Sequence, residues 1–333
     1  MNIKKLLDER GIELKYIESN NFPELEESVI ITNDDSFTRS LLLSAGFEKF
    51  YAIKEASLEN IEAIEMEITH LNPKKVAGFG GGRAIDTAKK ISFDLDADLI
   101  SIPTAPSHDG LVSRNCSLYA GNKKISLKAK YPKKLIIPLH LWKSSGDLKK
   151  AGICDILSNF IALQDISLAE KNGKKFSEFY KNLSFEATKR ICGDEKKFSE
   201  ALIISGIAME ESSVYCSGSE HEIEKLLEMH GFRYLHGQLV GTGILISAKV
   251  YSIYYEKFQG LRFNPRNLFK EMKELMIKQD VYKFALQPLF DEKFKPEILR
   301  KVSEIRPERY NLWNAINSEE IDWNSIIDGI LKN

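Results

Sequence analysis

The stretch Lys75-Val-Ala-Gly-Phe-Gly-Gly-Gly-Arg-Ala-Ile-Asp86 limits what this chain can fold into more than any other. A short apolar run over 76–79 enters glycine-dense chain, and apolar residues then resume at helical spacing with Ile85, Ala88 and Ile91. The pattern predicts a strand, a tight turn and a helix. Such a turn lets backbone N–H groups approach a pyrophosphate, and the helix N-terminus favours its negative charge. The glycines do not complete a G-x-G-x-x-G pattern, so taken alone they also suit a plain tight turn.

Flanking segments extend this unit. Residues 29–32 predict a short buried strand, and Asn33-Asp-Asp-Ser36 caps the helix that follows. Residues 47–53 read as a second strand, and Ser57 as the N-cap of a second helix with Glu59 in its first turn. After the glycine turn and its helix, 99–102 is a fourth strand ended by Pro103. Strands alternating with helices predict a parallel sheet covered on both faces, with ligands beyond the strands' carboxyl ends. Two of those ends carry unusual loops: Gly80-Gly-Gly82, and Thr104-Ala-Pro-Ser-His-Asp-Gly110. Ser107 and Asp109 could simply bond their own backbone. Their position on the ligand edge favours function. Residues 118–128 alternate apolar and polar around Gly121-Asn122 and predict a hairpin. The run Lys123, Lys124, Lys128, Lys130, Lys133 and Lys134 reads as a solvated face, with one or two members available to an anionic substrate.

From Ser144 onward apolar residues recur every three or four positions. The expectation is an α/β domain over 1–142, an all-α domain over 143–333, and a cleft between them that holds ligand. A net charge of −1 gives no basic surplus for nucleic acid or an anionic membrane. The charged N-terminus has no apolar signal core, and no run of about 18 apolar residues occurs. Cys116, Cys154, Cys192 and Cys216 are far apart and read as reduced thiols of a cytoplasmic protein.

Three residues of the helical half are candidate metal ligands. Asp155 is read at the start of an otherwise apolar helix, His221 opens another after a small-residue loop, and His236 stands among glycines. One carboxylate and two imidazoles with an open position suit a catalytic zinc ion. Singly, an aspartate serves equally as an N-cap and a histidine as a hydrogen-bonded core group. His70, His140 and His230 read as structural.

Together these segments resemble the archaeal-type glycerol-1-phosphate dehydrogenase family, within the dehydroquinate synthase-like and iron-alcohol-dehydrogenase-like superfamily. The resemblance is carried by the glycine turn, by Ser101-Ile-Pro-Thr-Ala-Pro-Ser-His-Asp-Gly110, by Leu127-Lys-Ala-Lys130 and by Ala151-Gly-Ile-Cys-Asp-Ile-Leu-Ser-Asn159. It continues through Ser217-Gly-Ser-Glu-His221, Leu235-His-Gly237 and Ile305-Arg-Pro-Glu-Arg-Tyr-Asn-Leu312. The proline-framed loop is its most specific part. It implies a dehydroquinate synthase-like fold: a Rossmann-like parallel sheet followed by an all-α domain. It also implies reduction of dihydroxyacetone phosphate to sn-glycerol 1-phosphate for membrane phospholipids, using NAD or NADP and Zn2+. The implied protein is a homo-oligomer with no stable membrane insertion. Residue by residue, the resemblance puts Gly81, Gly82, Arg83, Ala84, Ile85 and Asp86 on the dinucleotide pyrophosphate. Thr104, Ala105, Pro106 and Ser107 line the nicotinamide pocket, and Ser113 also meets the cofactor. Asp109 contacts substrate, Asp155, His221 and His236 hold zinc, and Asp155 touches substrate as well.

The chain departs from the family at several points. Arg83 stands for a usual lysine, and Lys225 for a second histidine one turn after His221, where it could hold a phosphate as a point charge. Leu235-His-Gly-Gln-Leu239 replaces Leu-His-Gly-Glu-Gln, and the N-terminus lacks the usual opening strand motif. Competing readings are a glycerol or polyol dehydrogenase, a dehydroquinate-synthase-like lyase, an iron alcohol dehydrogenase and a nucleotide sensor without turnover. The lyases place Glu where Asp155 stands, and the iron enzymes place His where Asn159 stands. NAD versus NADP stays open, because Lys54 and Glu55 point opposite ways.

Overall fold

The structure, a computed structural model, describes residues 1–121 and 123–332, so Asn122 of the expected hairpin turn lies outside the described residues. The elements in chain order are α1 (Ile3–Asp8), β1 (Glu13–Ile17), β2 (Val29–Asn33), α2 (Ser36–Ser44), β3 (Tyr51–Ile53), α3 (Leu58–Ile68), β4 (Lys75–Gly80) and α4 (Gly82–Asp94). Next come β5 (Asp98–Pro103), β6 (Asn115–Ala120), β7 (Lys123–Lys128), β8 (Lys134–Pro138) and α5 (Leu139–Trp142). The remaining α-helices are α6 (Asp147–Lys171), α7 (Glu178–Thr188), α8 (Glu195–Ala208), α9 (Ser219–Met229) and α10 (His236–Ile253). They end with α11 (Pro265–Lys278), α12 (Tyr282–Leu286), α13 (Leu312–Ala315) and α14 (Trp323–Leu331).

Two compact units result: residues 1–149 with 193–210, and residues 150–192 with 211–333. The division follows Lys149, and α8, from the second half of the chain, joins the first unit. After a charged first turn, α8 is buried along most of its length, from Phe198 to Ala208. Tyr16 Oη and Ser199 Oγ share a hydrogen bond of 3.0 Å, and Asn115 Nδ2 donates to Met209 O just beyond the helix.

The first unit is built on a six-stranded sheet of order β1-β8-β5-β4-β2-β3, parallel throughout. β6 and β7 form a separate antiparallel pair, as the alternating pattern predicts. Asp35 caps α2 by accepting from Thr38 N at 2.8 Å, and Ser57 caps α3 by accepting from Asn60 N at 3.3 Å. Consecutive residues of β4 enter opposite cores. Val76 packs with Ile61, Ile64, Ala88 and Ile91, while Ala77 and Phe79 pack with Leu42, Ile100 and Ile136. Both sheet faces are therefore covered.

Three expectations need correction. The strand expected over 47–53 is formed only at 51–53. β1 and β8 are not among the expected strands, although β8 does carry a short buried apolar run, Leu135-Ile-Ile137. β1 alternates charge with apolar residues and pairs only along β8 at the sheet edge, so it carries no continuous apolar run. Finally, Asp155 does not start its helix: α6 begins at Asp147, and Asp155 is 2% exposed within its third turn.

The second unit is all-α among the described residues. α6 is the one described helix long and apolar enough to cross a membrane, but 89% of its apolar window is buried inside the protein, as in a core helix.

Close approach sets the spacing of β4 and α4. A Cβ on Gly78 would fall 2.9 Å from Ile85 Cα and 3.0 Å from Ala88 Cβ. Gly78→Ala should destabilise the first unit by about 1–3 kcal/mol through overpacking, read as a lower urea midpoint. An unchanged midpoint would show that α4 can move away freely.

Candidate cofactor and metal sites

The connection leaving β2 runs to one side of the sheet and that leaving β4 to the other, so the order reverses between these neighbours. Open parallel sheets bind ligands at such a point. The glycine turn lies there. Gly80 has φ +145°, and a Cβ on it would fall 2.3 Å from Asn33 Oδ1. That oxygen accepts from Gly81 N at 2.7 Å, tying the end of β2 to the turn. The first-turn N–H groups of α4, from Gly82, Arg83 and Ala84, have no intrahelical acceptor, as at any helix start. The Arg83 guanidinium donates to Lys54 O.

The proline-framed loop is moulded around His108. Cβ atoms on Gly82 and Gly110 would fall 2.9 Å from His108 Nε2 and 2.8 Å from its Nδ1. Gly110 N donates to Nδ1 at 3.0 Å, which places the proton of a neutral ring on Nε2. Beneath the loop Lys89, fully buried, donates from Nζ to Asp86 Oδ1 at 2.9 Å, Gly110 O at 2.6 Å and Asn115 O at 3.0 Å. Its three protons thus have three acceptors. Asp86 Oδ2 accepts from Ser117 N at 3.1 Å, so this carboxylate, expected on the cofactor, is engaged in joining α4 to β6. Thr104, Ala105 and Pro106 are buried, Ser107 is half-buried, and Ser113 Oγ accepts from Asn115 N at 3.1 Å.

Asp109 is buried, and its Oδ2 accepts from Ser205 Oγ at 2.6 Å. A Cβ on the adjacent Gly206 would fall 2.6 Å from Asp109 O. Ser205-Gly206 of α8 is therefore a fitted seat for the loop aspartate. Three members of the lysine run are held at the opposite edge of the sheet. Lys130 donates to Ala97 O at 2.8 Å, Lys133 pairs with Asp98 at 2.7 Å, and Lys134 pairs with Glu13 at 3.4 Å.

In the second unit Asp155 of α6, His221 near the start of α9 and His236 at the start of α10 come together, with one ligand atom of each within 4.8 Å of the others. Both Nε2 atoms lie 3.5 Å from Asp155 Oδ1. Glycines permit the convergence. A Cβ on Gly237 would fall 2.0 Å from Ala151 O, and one on Gly243 would fall 2.2 Å from Glu220 O. His221 Nδ1 is 2.7 Å from Glu220 Oε1, and His236 Nδ1 is 2.9 Å from Glu224 Oε1. An ionised carboxylate only accepts, so each Nδ1 donates and each neutral ring turns an Nε2 lone pair toward Asp155. With both rings neutral, two Nε2 lone pairs and the Asp155 carboxylate face one another, and this donor set fits a zinc ion with outer carboxylates orienting both rings.

The electrostatics agree. Burial alone would raise Asp155 and lower His236. The two imidazoles instead hold Asp155 well below the usual carboxylate range, and Glu224 with Asp155 pushes His236 up to about 10. Both shifts express a site that favours positive charge. The His236 side chain is 36% exposed against 3% for Asp155, so the centre opens on the His236 side. Lys225 lies one turn beyond His221 and is half-buried. Asn159 donates from Nδ2 to Ser184 O at 3.1 Å. The roles of Asn33 as a turn tether and of Lys89, Ser205, Glu220 and Glu224 emerge only from the structure. Only the two glutamates left a signal, as carboxylates beside and one turn along from a candidate ligand histidine.

A family model described as iron-containing alcohol dehydrogenase matches residues 35–145. The chain is 34% identical over 227 residues to a protein of Metallosphaera sedula named glycerol-1-phosphate dehydrogenase (NAD(P)+), covering 63% of this chain and 65% of that one, just under two thirds. It is 33% identical over 276 residues to a protein of the same name from Thermococcus sibiricus, covering 78% of this chain and 75% of that one. Among solved structures, a probable glycerol dehydrogenase from Sinorhizobium meliloti superposes with a TM-score of 0.70 at 18% identity, over 97% of this chain and 96% of the other. That likeness shows the fold.

Lys89→Met keeps the side chain's length but removes its charge and all three donors. The first unit should lose about 3 kcal/mol or more, read by urea denaturation. A loss under about 1 kcal/mol would mean water or relaxed loop chain replaces the ammonium.

Proposed function

The chain belongs to the family of glycerol-1-phosphate dehydrogenases, and we propose on that footing that it reduces dihydroxyacetone phosphate to sn-glycerol 1-phosphate with NADH or NADPH. The observation that carries the chemistry is the convergence of Asp155, His221 Nε2 and His236 Nε2, with both Nδ1 atoms held by carboxylates. Zinc is the metal these ligand types suit. Bound there, it would supply Lewis acidity toward the ketone oxygen. The reduced nicotinamide, bound by the first unit, would supply hydride.

The chain's own groups have separable tasks. N–H groups of Gly82, Arg83 and Ala84 hold the pyrophosphate at the positive end of α4, with Arg83 and Ile85 completing that wall. Residues 104–107 line the nicotinamide pocket, shaped by His108 in its glycine slot. Asp109, aimed by Ser205, accepts a substrate hydroxyl, and Asp155 adds a carboxylate contact. Lys225 meets the phosphate as a point charge. The protein acts as a cytoplasmic homo-oligomer.

The deciding assay follows oxidation of NADH and of NADPH with dihydroxyacetone phosphate beside dihydroxyacetone, with and without a chelator. Turnover of the phosphate compound, lost on chelation and restored by zinc, is expected. Preference for unphosphorylated ketone would move the protein among polyol dehydrogenases. His236→Ala should abolish zinc-dependent turnover, and full activity in that variant would overturn the ligand assignment. Lys225→Ala should raise KM for the phosphate substrate more than it lowers kcat. An unchanged KM removes the phosphate role.

A further inference from the structure

The segment Ile305-Arg-Pro-Glu-Arg-Tyr-Asn-Leu312 takes no part in the sites above, yet its polar groups converge on one place. Arg309 N donates to Arg306 O at 3.0 Å, closing a turn with Pro307 at its second position, where a fixed φ suits the bend. The turn brings both arginines to a single residue. Arg306 Nη1 donates to Ser217 Oγ at 3.0 Å, and Arg309 Nη1 donates to Ser217 O at 3.1 Å. Arg309 Nη2 also donates to Ser213 Oγ at 2.7 Å.

The next residues reach α9 itself. Trp313 Nε1 donates to Ser219 O at 2.9 Å, and Asn311 Nδ2 donates to Glu222 Oε1 at 2.5 Å. The other end of the Asn311 amide is fixed, because its Oδ1 accepts from Trp313 N at 2.9 Å as the cap of α13. Asp165 of α6 joins the two segments. Its Oδ2 accepts from Ser219 N at 2.6 Å and its Oδ1 from Leu312 N at 3.2 Å. Residues on both sides of His221 are therefore pinned, whereas the helix has no side-chain cap of its own at Gly218.

We infer that residues 306–313 are a strap that positions the metal-binding helix. Arg306 and Arg309 act through Ser217, and Asn311 and Trp313 act through Glu222 and Ser219, to set where His221 stands. The inference rests on reading Asp155, His221 and His236 as the metal site. Two guanidinium groups beside a helix N-terminus oppose its dipole, and the carboxylates of Glu222 and Glu220 offset that. Donor geometry adds specificity: a guanidinium presents several N–H groups in a rigid fork, and that of Arg309 spans Ser217 O and Ser213 Oγ at once. Partners bonded directly to a ligand residue cost metal affinity about 10- to 100-fold when removed, and the strap, which bonds the residues flanking His221, is expected at the lower end of that range.

The test uses the full-length protein and the variants Arg309→Met and Trp313→Phe, the second deleting one N–H while keeping an aromatic ring in place. Zinc affinity is measured by competition with a chromophoric chelator, and backbone hydrogen exchange over 213–224 is measured on the metal-free protein. Weaker zinc binding by about tenfold or more in Arg309→Met, a smaller loss in Trp313→Phe, and faster exchange confined to this segment would support the strap. Unchanged exchange in both variants would overturn it, whatever the metal result. Faster exchange with unaltered zinc affinity would leave a brace for the helix but remove its role at the metal. A wild-type protein that binds no zinc, with exchange still faster in the variants, would instead overturn the metal-site reading and the proposal with it.

Discussion

A carboxylate deep in an apolar helix has to be met by positive charge, and the second unit is arranged around that requirement. Asp155 is 2% exposed in α6, and isolated in such surroundings it would surrender its charge by binding a proton. Two imidazoles prevent this, and each imidazole is turned to face it by a glutamate on α9. The donor set therefore carries three buried or nearly buried carboxylates around two histidines, an excess of negative charge that suits a divalent cation. Glycines at 237 and 243 permit this density, since side chains there would collide with the backbone of α6 and α9.

The first unit solves a different problem with similar means. A glycine turn at a helix start keeps its free N–H groups in place only while its glycines, the least constrained residues, stay fixed. Asn33 holds Gly81 from the neighbouring strand, and His108 fills the space that Gly82 and Gly110 leave. Lys89 fastens the loop after β5 to α4 from below. These contacts are polar and at least partly buried, so their partners are specific: an orphaned donor or acceptor there costs more than a lost surface contact.

Much of the architecture was legible because it depends on local order. The alternation of apolar runs and capped helices between residues 29 and 103 specifies a parallel sheet, and the Asp35 and Ser57 caps fall where the sequence places them. What escaped was either weakly patterned or non-local. β1, an edge strand with charges along it, offers no apolar run, and 47–50 has the composition of a strand without a strand partner. Asp155 read as a helix start because the apolar run after it is conspicuous, whereas α6 begins with the charged turn before it.

By itself the sequence determined the glycine turn with its following helix, the helical second half, the chemical types of the candidate ligand residues and the family they resemble. Those are properties of spacing and composition within a few turns of chain. Only the tertiary structure decided that Asp155, His221 and His236 meet, that Ser205 of α8 seats Asp109, and that the arginines near the C-terminus hold the start of α9. Periodicity shows which face of a helix is apolar but not which helix that face will meet. That choice is settled by close packing and by the need to satisfy each buried polar group.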